Sequence, residues 1–413
     1  GGRGPAPAVP IGNPGMAVYS DSILDAAAPP RRSLFAPDRI ISGFVQFLVV
    51  AAVLTGGYML FVTTQGNLEA RNIESGFAFL GHESGFPIGD SLISFDATDS
   101  YGRAFLVGVV NTFYVSIMSI VLATIVGVVM GVAQVLRNWL IAKLAEIYVE
   151  VLRNIPLLLT LLFVYGVVLA GLPAVRRSIE FFEGGYLNQR GLYLPRPLPL
   201  DGFGFVIAAA TIAVIGAVLL IVWARRHHDR TGVALPSIRI GLGMVLGLPL
   251  LVHLLAGSPL DWELPVLKGF NYKGGWVFRP EFAALLLGLV IYRGAFIAEN
   301  VRSGIQAVGK GQREAAAAVG LTPGRTMQLV VLPQALRTII PSTTNDYASL
   351  VKDSSLAVAI GYPDMVSVGG TMIGQNGQAI EIIGMWMAIY LTINLVVSLL
   401  MNWANLRAQL VER

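Results

Sequence analysis

Eight mostly apolar stretches run along the chain, at 40–62, 104–136, 140–170, 204–223, 239–257, 281–302, 335–360 and 382–403. About 20 such residues wound into a helix cross the hydrocarbon of a bilayer. The pattern therefore predicts an all-α integral membrane protein with about eight transmembrane helices. Residues 1–38 are rich in Gly, Pro and Ala and lack a continuous apolar core. They read as a disordered tail, not a cleaved signal peptide, which leaves export to the first membrane helix.

The charges set the expected orientation, because cytoplasmic connections carry the excess of Lys and Arg. With the N terminus inside, 17 of the 29 basic residues fall on the cytoplasmic side, nine fall outside, and Arg153, Arg293 and Lys352 lie within spans. Both termini are thus expected in the cytoplasm. The connection before the second span fits, since Glu69, Glu74, Glu83, Asp90, Asp96 and Asp99 outnumber Arg71 and Arg103. The expected organisation is a cytoplasmic tail (1–38), an extra transmembrane helix (39–63), a periplasmic loop (64–103), a first core segment (104–171), a periplasmic segment with an inserted helix pair (172–280), a second core segment (281–405) and a short cytoplasmic tail (406–413).

Composition narrows the function. Hydrophobic residues make up 54% of the chain and charged residues 13%, with a mean hydropathy of +0.67, so apolar side chains must face lipid as well as one another. Cysteine is absent, which excludes a disulfide framework, a thiolate nucleophile and a cysteine metal site. The net charge of +4 comes without the basic, aromatic-interleaved cluster that nucleic acid requires. No G-x-x-x-x-G-K-[ST] phosphate loop occurs, so this chain is not expected to hydrolyse ATP. His82, His227, His228 and His253 lack zinc-ligand spacing, and no metal or other cofactor is expected on the chain. No nucleophile, base and orienting residue form a catalytic set, and the chain is not expected to be an enzyme.

The most informative stretch is 312–333, within the connection 303–334. Glu314 followed by Ala315, Ala316, Ala317 and Ala318 predicts a short helix with a small-sided surface. Gly320 sits where a C-terminal cap needs a left-handed residue. Thr322 and Pro323 predict the N-cap and first position of a second short helix, which Pro333 is expected to end. A short alanine-surfaced helix suits a partner's groove, and on physics alone it equally suits a plain connector.

Charges within spans are the other chemical signal. Glu146, Glu150 and Arg153 share a helix face, as do Glu299 and Arg302, and read as interfacial ion pairs or as gating groups. Arg293 falls near the middle of its span, where a charge costs about 2.5–3.5 kcal/mol on insertion scales. It reads either as an acceptor of a substrate carboxylate or as a counter-ion to a neighbouring helix. Asn345, Ser349 and Lys352 fall at i, i+4 and i+7, a polar stripe with Asp346 and Asp353 repeating the spacing beside it. Lys352 and Asp353 put one cation and one anion on a surface that must be wet or protein-lined, which suits a substrate path. The same stripe equally suits ion pairs against another helix. Small-residue spacings at Gly127–Gly131 and Gly243–Gly247 suggest close helix packing.

Glu314-Ala315-Ala316, Gly320, and then Val330, Leu332 and Pro333 resemble the EAA loop of ABC importer permeases, with Val330 where Ile is commonest. Asn111-Thr112, Glu150, Arg153, Pro156-Leu157, Ala298-Glu299, Arg302, Gly304 to Val308, Asn345 and Lys352 to Leu356 are similar to the polar amino-acid (histidine/glutamine permease) branch. The resemblance covers 104–171 and 281–405, the usual five-helix type I importer core. The three extra helices resemble those of the larger permeases of general L-amino-acid and glutamate/glutamine/aspartate/asparagine importers. It implies a bacterial inner-membrane permease subunit working with a second homologous permease, two ATPase subunits that bind ATP and Mg, and a periplasmic amino-acid-binding protein. The EAA residues would couple to the ATPases. The alternative is an ion-coupled secondary amino-acid transporter, which inverted repeats would support; none is found.

Overall fold

The computed structural model describes residues 37–70, 76–232 and 235–408. Most of the tail expected at 1–38, and the last five residues, lie outside that set. The chain divides into two compact units, 1–74 and 75–413. The first contains α1 (Pro37–Ala70), an apolar helix with exposed side chains along its length. It corresponds to the extra helix expected at 39–63.

The second unit holds α2 (Tyr101–Ala133), α3 (Trp139–Asn154), α4 (Leu157–Gly171), α5 (Phe203–Thr231), α6 (Ser237–Leu255) and α7 (Pro280–Ala307). It continues with α8 (Lys310–Ala318), α9 (Pro323–Thr326), α10 (Leu332–Asp353), α11 (Met365–Asn376) and α12 (Ala379–Ala408). Among the described residues, six helices are long and apolar enough to cross a membrane, and eight crossings result if each of two bent pairs is one span. The helical membrane class stands as expected.

The two bent pairs differ from the straight spans the hydropathy pattern predicts. Residues 140–170 fold as α3 and α4, bent by 112°. The cause is Pro156: Ile155 before it is pushed out of the helical region to φ −102, ψ 135, and Pro156 becomes the N-cap of α4. Residues 335–360 fold as α10 followed by a 3₁₀ segment, Ser354–Ile360. After a turn at left-handed Gly361 the chain resumes as α11, bent by 52°.

The core lies around α7, which packs along α2, α10 and α4. The α2–α7 seam explains Gly127 and Gly131: a Cβ at Gly127 would sit 2.5 Å from Ile297 Cγ2, and one at Gly131 would sit 2.6 Å from the Ala298 carbonyl oxygen. Only glycine lets the helices approach this closely. Gly243 and Gly247 have no such neighbour. The α5–α6 pair instead closes on Gly241 against Ala217 and Gly216 against Met244.

Among the described residues, eight short strands flank the α5–α6 pair, an addition to the helical pattern that hydropathy does not signal. β1 (Ile179–Phe182), β2 (Gly185–Asn188) and β3 (Gly191–Leu194) form an antiparallel sheet completed by β8 (Trp276–Phe278). β4 (Arg196–Pro199) pairs with β5 (Leu260–Glu263), and β6 (Val266–Lys268) with β7 (Asn271–Lys273). The β3–β8 and β4–β5 pairings thus join two segments more than 60 residues apart.

Candidate functional site

Three places among the described residues bring the sequence-predicted residues together: a buried charge cluster between α7 and α10, an ion-pair group joining α3 and α7, and the α8–α9 connection.

Arg293 of α7 reaches two carboxylates on α10. Its Nε donates to Asp353 Oδ2 at 2.6 Å, its Nη2 donates to the same oxygen, and its Nη1 lies 3.6 Å from Asp346 Oδ1. Asn300 Nδ2 donates to the other Asp346 oxygen at 2.5 Å. The Arg293 and Asp346 side chains are only 13% and 14% exposed. The guanidinium also rests against the Tyr292 and Phe296 rings, 5.7 and 5.4 Å from their centroids, an added attraction for a desolvated cation. A buried charge persists only when paired and hydrogen-bonded, and here each member has partners. Each guanidinium nitrogen of Arg293 thus faces a carboxylate of α10.

The polar stripe on α10 divides by face. Asp346 and Asp353 turn toward α7, whereas Asn345 and Lys352 are exposed and Ser349 is half-buried. The spacing places one stripe inward on a partner helix and the other outward. Thr124 of α2 and Tyr347 hold the same helix through hydroxyl oxygens 2.7 Å apart.

Toward the α8 end of α7, Glu299 accepts from Arg302 at 2.5 and 2.9 Å and lies 3.8 Å from Arg153 of α3. Lys143 takes Glu146 at 2.9 Å. Sequence spacing joins Glu150 to Arg153. The structure instead pairs Arg153 across helices with Glu299, and no ion pair is formed by Glu150 among the described residues. The bend after Asn154 turns Arg153 toward α7, where its guanidinium also lies 5.6 Å from the Phe296 centroid.

The α8–α9 connection is built as its sequence dictates up to one proline. Gly320 adopts φ +79, its N–H donates to the Ala317 carbonyl and the Leu321 N–H to the Ala316 carbonyl, the paired bonds of a Schellman cap. Thr322 takes the extended N-cap conformation without a side-chain cap bond, and Pro323 follows it. Pro333 does not end this helix. A π-helical turn, Met327–Val331, leads directly into α10 with Pro333 in its first turn. The wider turn absorbs the missing N–H and ring clash of proline, and Gln334 Nε2 donates to the Val330 carbonyl at 3.0 Å. Arg313 ties α8 to the end of α7 through the Ile305 carbonyl at 2.7 Å. Ala316 is buried, while Glu314, Ala315, Val319, Leu329 and Leu332 are exposed, leaving an apolar, small-sided surface.

Asn300 is a cluster member that the sequence reading passed over. Its signal was present: it lies seven residues after Arg293, on the same face of α7. Asp90 and Arg279, an ion pair at 2.8 Å, were also missed, because one comes from a loop and the other precedes α7.

The arrangement is that of a helical membrane component with a surface-exposed connection between two core spans. Residues 230–409 match the family described as the binding-protein-dependent transport system inner membrane component. The type I importer permease fold belongs to that class. Across its length the chain is 47% identical to the putative amino-acid ABC transporter permease protein YhdX of Escherichia coli (strain K12), covering 92% of this chain and 97% of that protein. It is 45% identical to the general L-amino acid transport system permease protein AapQ of Rhizobium johnstonii, covering 92% and 96%. It is 35% identical to the glutamate/glutamine/aspartate/asparagine transport system permease protein BztB of Rhodobacter capsulatus, covering 94% and 99%.

The chain belongs to the amino-acid ABC transporter permease family, in its larger form. It is an inner-membrane transport subunit that works with ATPase and binding-protein partners, and ATP hydrolysis resides in the separate ATPase subunits. The secondary-transporter alternative falls with that assignment.

Proposed function

We propose that this permease pairs with a second, homologous permease and two ATPase subunits, and that the outward stripe Asn345, Ser349 and Lys352 lines the path of a polar L-amino acid between the two permeases. The observation that carries this reading is the division of α10. Its inward carboxylates are taken by Arg293, and its outward polar groups, Lys352 included, are left on an exposed face of the helix. Intramembrane ionisable groups face protein or a wet cavity, not lipid. A second permease against this face supplies both.

In this reading both termini and the α8–α9 connection face the cytoplasm. Loop 76–100 and the strands face the periplasm, where the loaded binding protein docks. Glu314, Ala315, Gly320, Leu332 and Pro333 engage the ATPase groove around the buried Ala316. ATP and Mg bind on the partners, and this chain carries no cofactor. Closure of the ATPases draws the two α8–α9 connections together, and the buried Arg293–Asp346–Asp353 cluster carries that movement from α10 to α7 as a rigid unit. Glu150, Arg153, Glu299 and Arg302 order the inner ends of α3 and α7 during the change. The substrates are the polar or general L-amino acids named for AapQ and BztB, with glutamate, glutamine, aspartate and asparagine among them.

The test is Lys352→Met in the reconstituted assembly. It is expected to assemble and retain basal ATP hydrolysis while losing amino-acid uptake. Uptake at the unaltered rate and affinity would remove the stripe from the path.

A further inference from the structure

Loop 76–100 does not simply cover the helix ends; it inserts a charge among them. Asp90 Oδ1 lies 2.8 Å from Arg279 Nε at the start of α7. Buried Asn111 of α2 donates to the Asp90 carbonyl at 2.8 Å and to the Pro363 carbonyl at 2.9 Å. These bonds gather the loop, α2, α7 and the turn before α11 around a cavity of about 100 Å³ that opens to solvent. Its walls are aromatic: Tyr114 stacks on Phe282 with centroids 5.2 Å apart, and Tyr362 lies 5.8 Å from the same ring.

We propose that this cavity is an external subsite for the head group of an α-amino acid, with Arg279 receiving the carboxylate and Asp90 the ammonium. The inference rests on the outward orientation of loop 76–100 given above. One carboxylate and one guanidinium side by side are the complement of a zwitterion. The Arg279 side chain is 48% exposed, and ion pairs that open are weak enough to exchange partners. A bound zwitterion replaces one ion pair with two, and its ammonium gains the faces of Tyr114 and Phe282. The cavity holds a head group and leaves the side chain to project through the mouth. Recognition of this kind is indifferent to side-chain identity, as a subsite ahead of the α10 stripe requires.

The electrostatics agree. Burial pushes the Asp90 carboxyl up to about 6 against the pull of Arg279, with Glu281 adding to the rise. The carboxyl is ionised at neutral pH and loses its charge as pH falls through that value. The other titratable groups lining the cavity, Tyr114 and Tyr362, are phenols, and the Glu281 carboxyl stands near Asp90 outside that lining. Head-group binding therefore weakens below about pH 6.

Calorimetric titration of the purified permease in nanodiscs, without ATPases or binding protein, tests this directly. L-Glutamine and L-alanine are expected to bind within a few-fold of each other. N-acetyl-L-glutamine and L-glutamine methyl ester, each lacking one head-group charge, are expected to bind at least tenfold more weakly. Asp90→Asn and Arg279→Gln should each cost at least tenfold. Asp90→Glu and Arg279→Lys, which keep both charges and the loop in place, should retain dependence on both head-group charges. Absence of L-glutamine binding to the unaltered protein, equal binding of the blocked analogues, or unaltered affinity in both Asp90→Asn and Arg279→Gln overturns the subsite. A wrong orientation is a separate failure, read from the side on which a cysteine at Ser94 reacts.

Discussion

Replacing Arg293 with methionine is the sharpest test of how α7 and α10 are held. Methionine keeps most of the side chain's length and removes the cation, so Asp353 loses its donor and Asp346 keeps only Asn300. Removing one partner from a buried ion pair costs about 3–5 kcal/mol, a change of roughly a hundredfold to several thousandfold in the folding equilibrium constant. Asp353→Asn is milder, because Arg293 retains Asp346 at 3.6 Å, and loss of a charge-assisted hydrogen bond costs about 1.5–3 kcal/mol. The double variant no longer buries the uncompensated charge at 353. Its cost should therefore fall short of the sum of the single costs by at least about 1 kcal/mol. Unfolding in mixed detergent–SDS micelles, followed by tryptophan fluorescence, reads the three variants. Trp386 is a well-placed reporter, since its indole N–H donates to the Met365 carbonyl at 3.1 Å. Additive costs, or an Arg293→Met variant within about 1 kcal/mol of the unaltered protein, would refute the cluster as the tie between the helices.

Gly320→Val places a branched residue at φ +79 and costs about 1–3 kcal/mol of local strain; membrane insertion should persist while substrate-stimulated ATP hydrolysis of the assembly is lost, and normal stimulation would sink the coupling role. Single cysteines at Ser94 and Asn376 should react with a membrane-impermeant maleimide from the periplasm, and one at Ser237 from the cytoplasm; the cysteine-free background makes the pattern readable, and its reversal would overturn the orientation. Asp90 titrates near 3.8 when unfolded and about 6 when folded, so the folded state holds the proton more tightly. Its contribution to stability is full below pH 3.8 and is lost as pH rises through about 6. Limited proteolysis of loop 76–100 should accelerate over that rise and become insensitive to it in Asp90→Asn, and an unchanged pH profile in that variant would remove Asp90 as the cause.

Much of this protein is legible in its order of residues, because a membrane helix is a local object. Length and apolarity alone specify where helices form, since lipid leaves the backbone no partner but itself. The Schellman cap at Gly320 was readable for the same reason: one residue type tolerates that backbone conformation, and its bonds close within a few residues. The stripe at Asn345, Ser349 and Lys352 followed from helical periodicity. What the helices do to one another was not local. The Pro156 break was visible as a proline, but the 112° turn it permits is set by α3 and α4 both packing on α7. Pro333 has the same local chemistry and ends nothing, because it falls in the first turn of α10 just after a π turn. Gly127 and Gly243 open identical small-residue spacings, yet only the first meets a neighbouring helix that a Cβ would strike. Arg293 stood out as a charge in an apolar run, and its partners lie 53 and 60 residues away on α10. The pairing of Asp90 with Arg279 spans a still longer separation. Local spacing therefore determined the elements and their outward faces, while partner identity came only from tertiary packing, because desolvated charges are satisfied by whichever helix or loop the fold brings beside them.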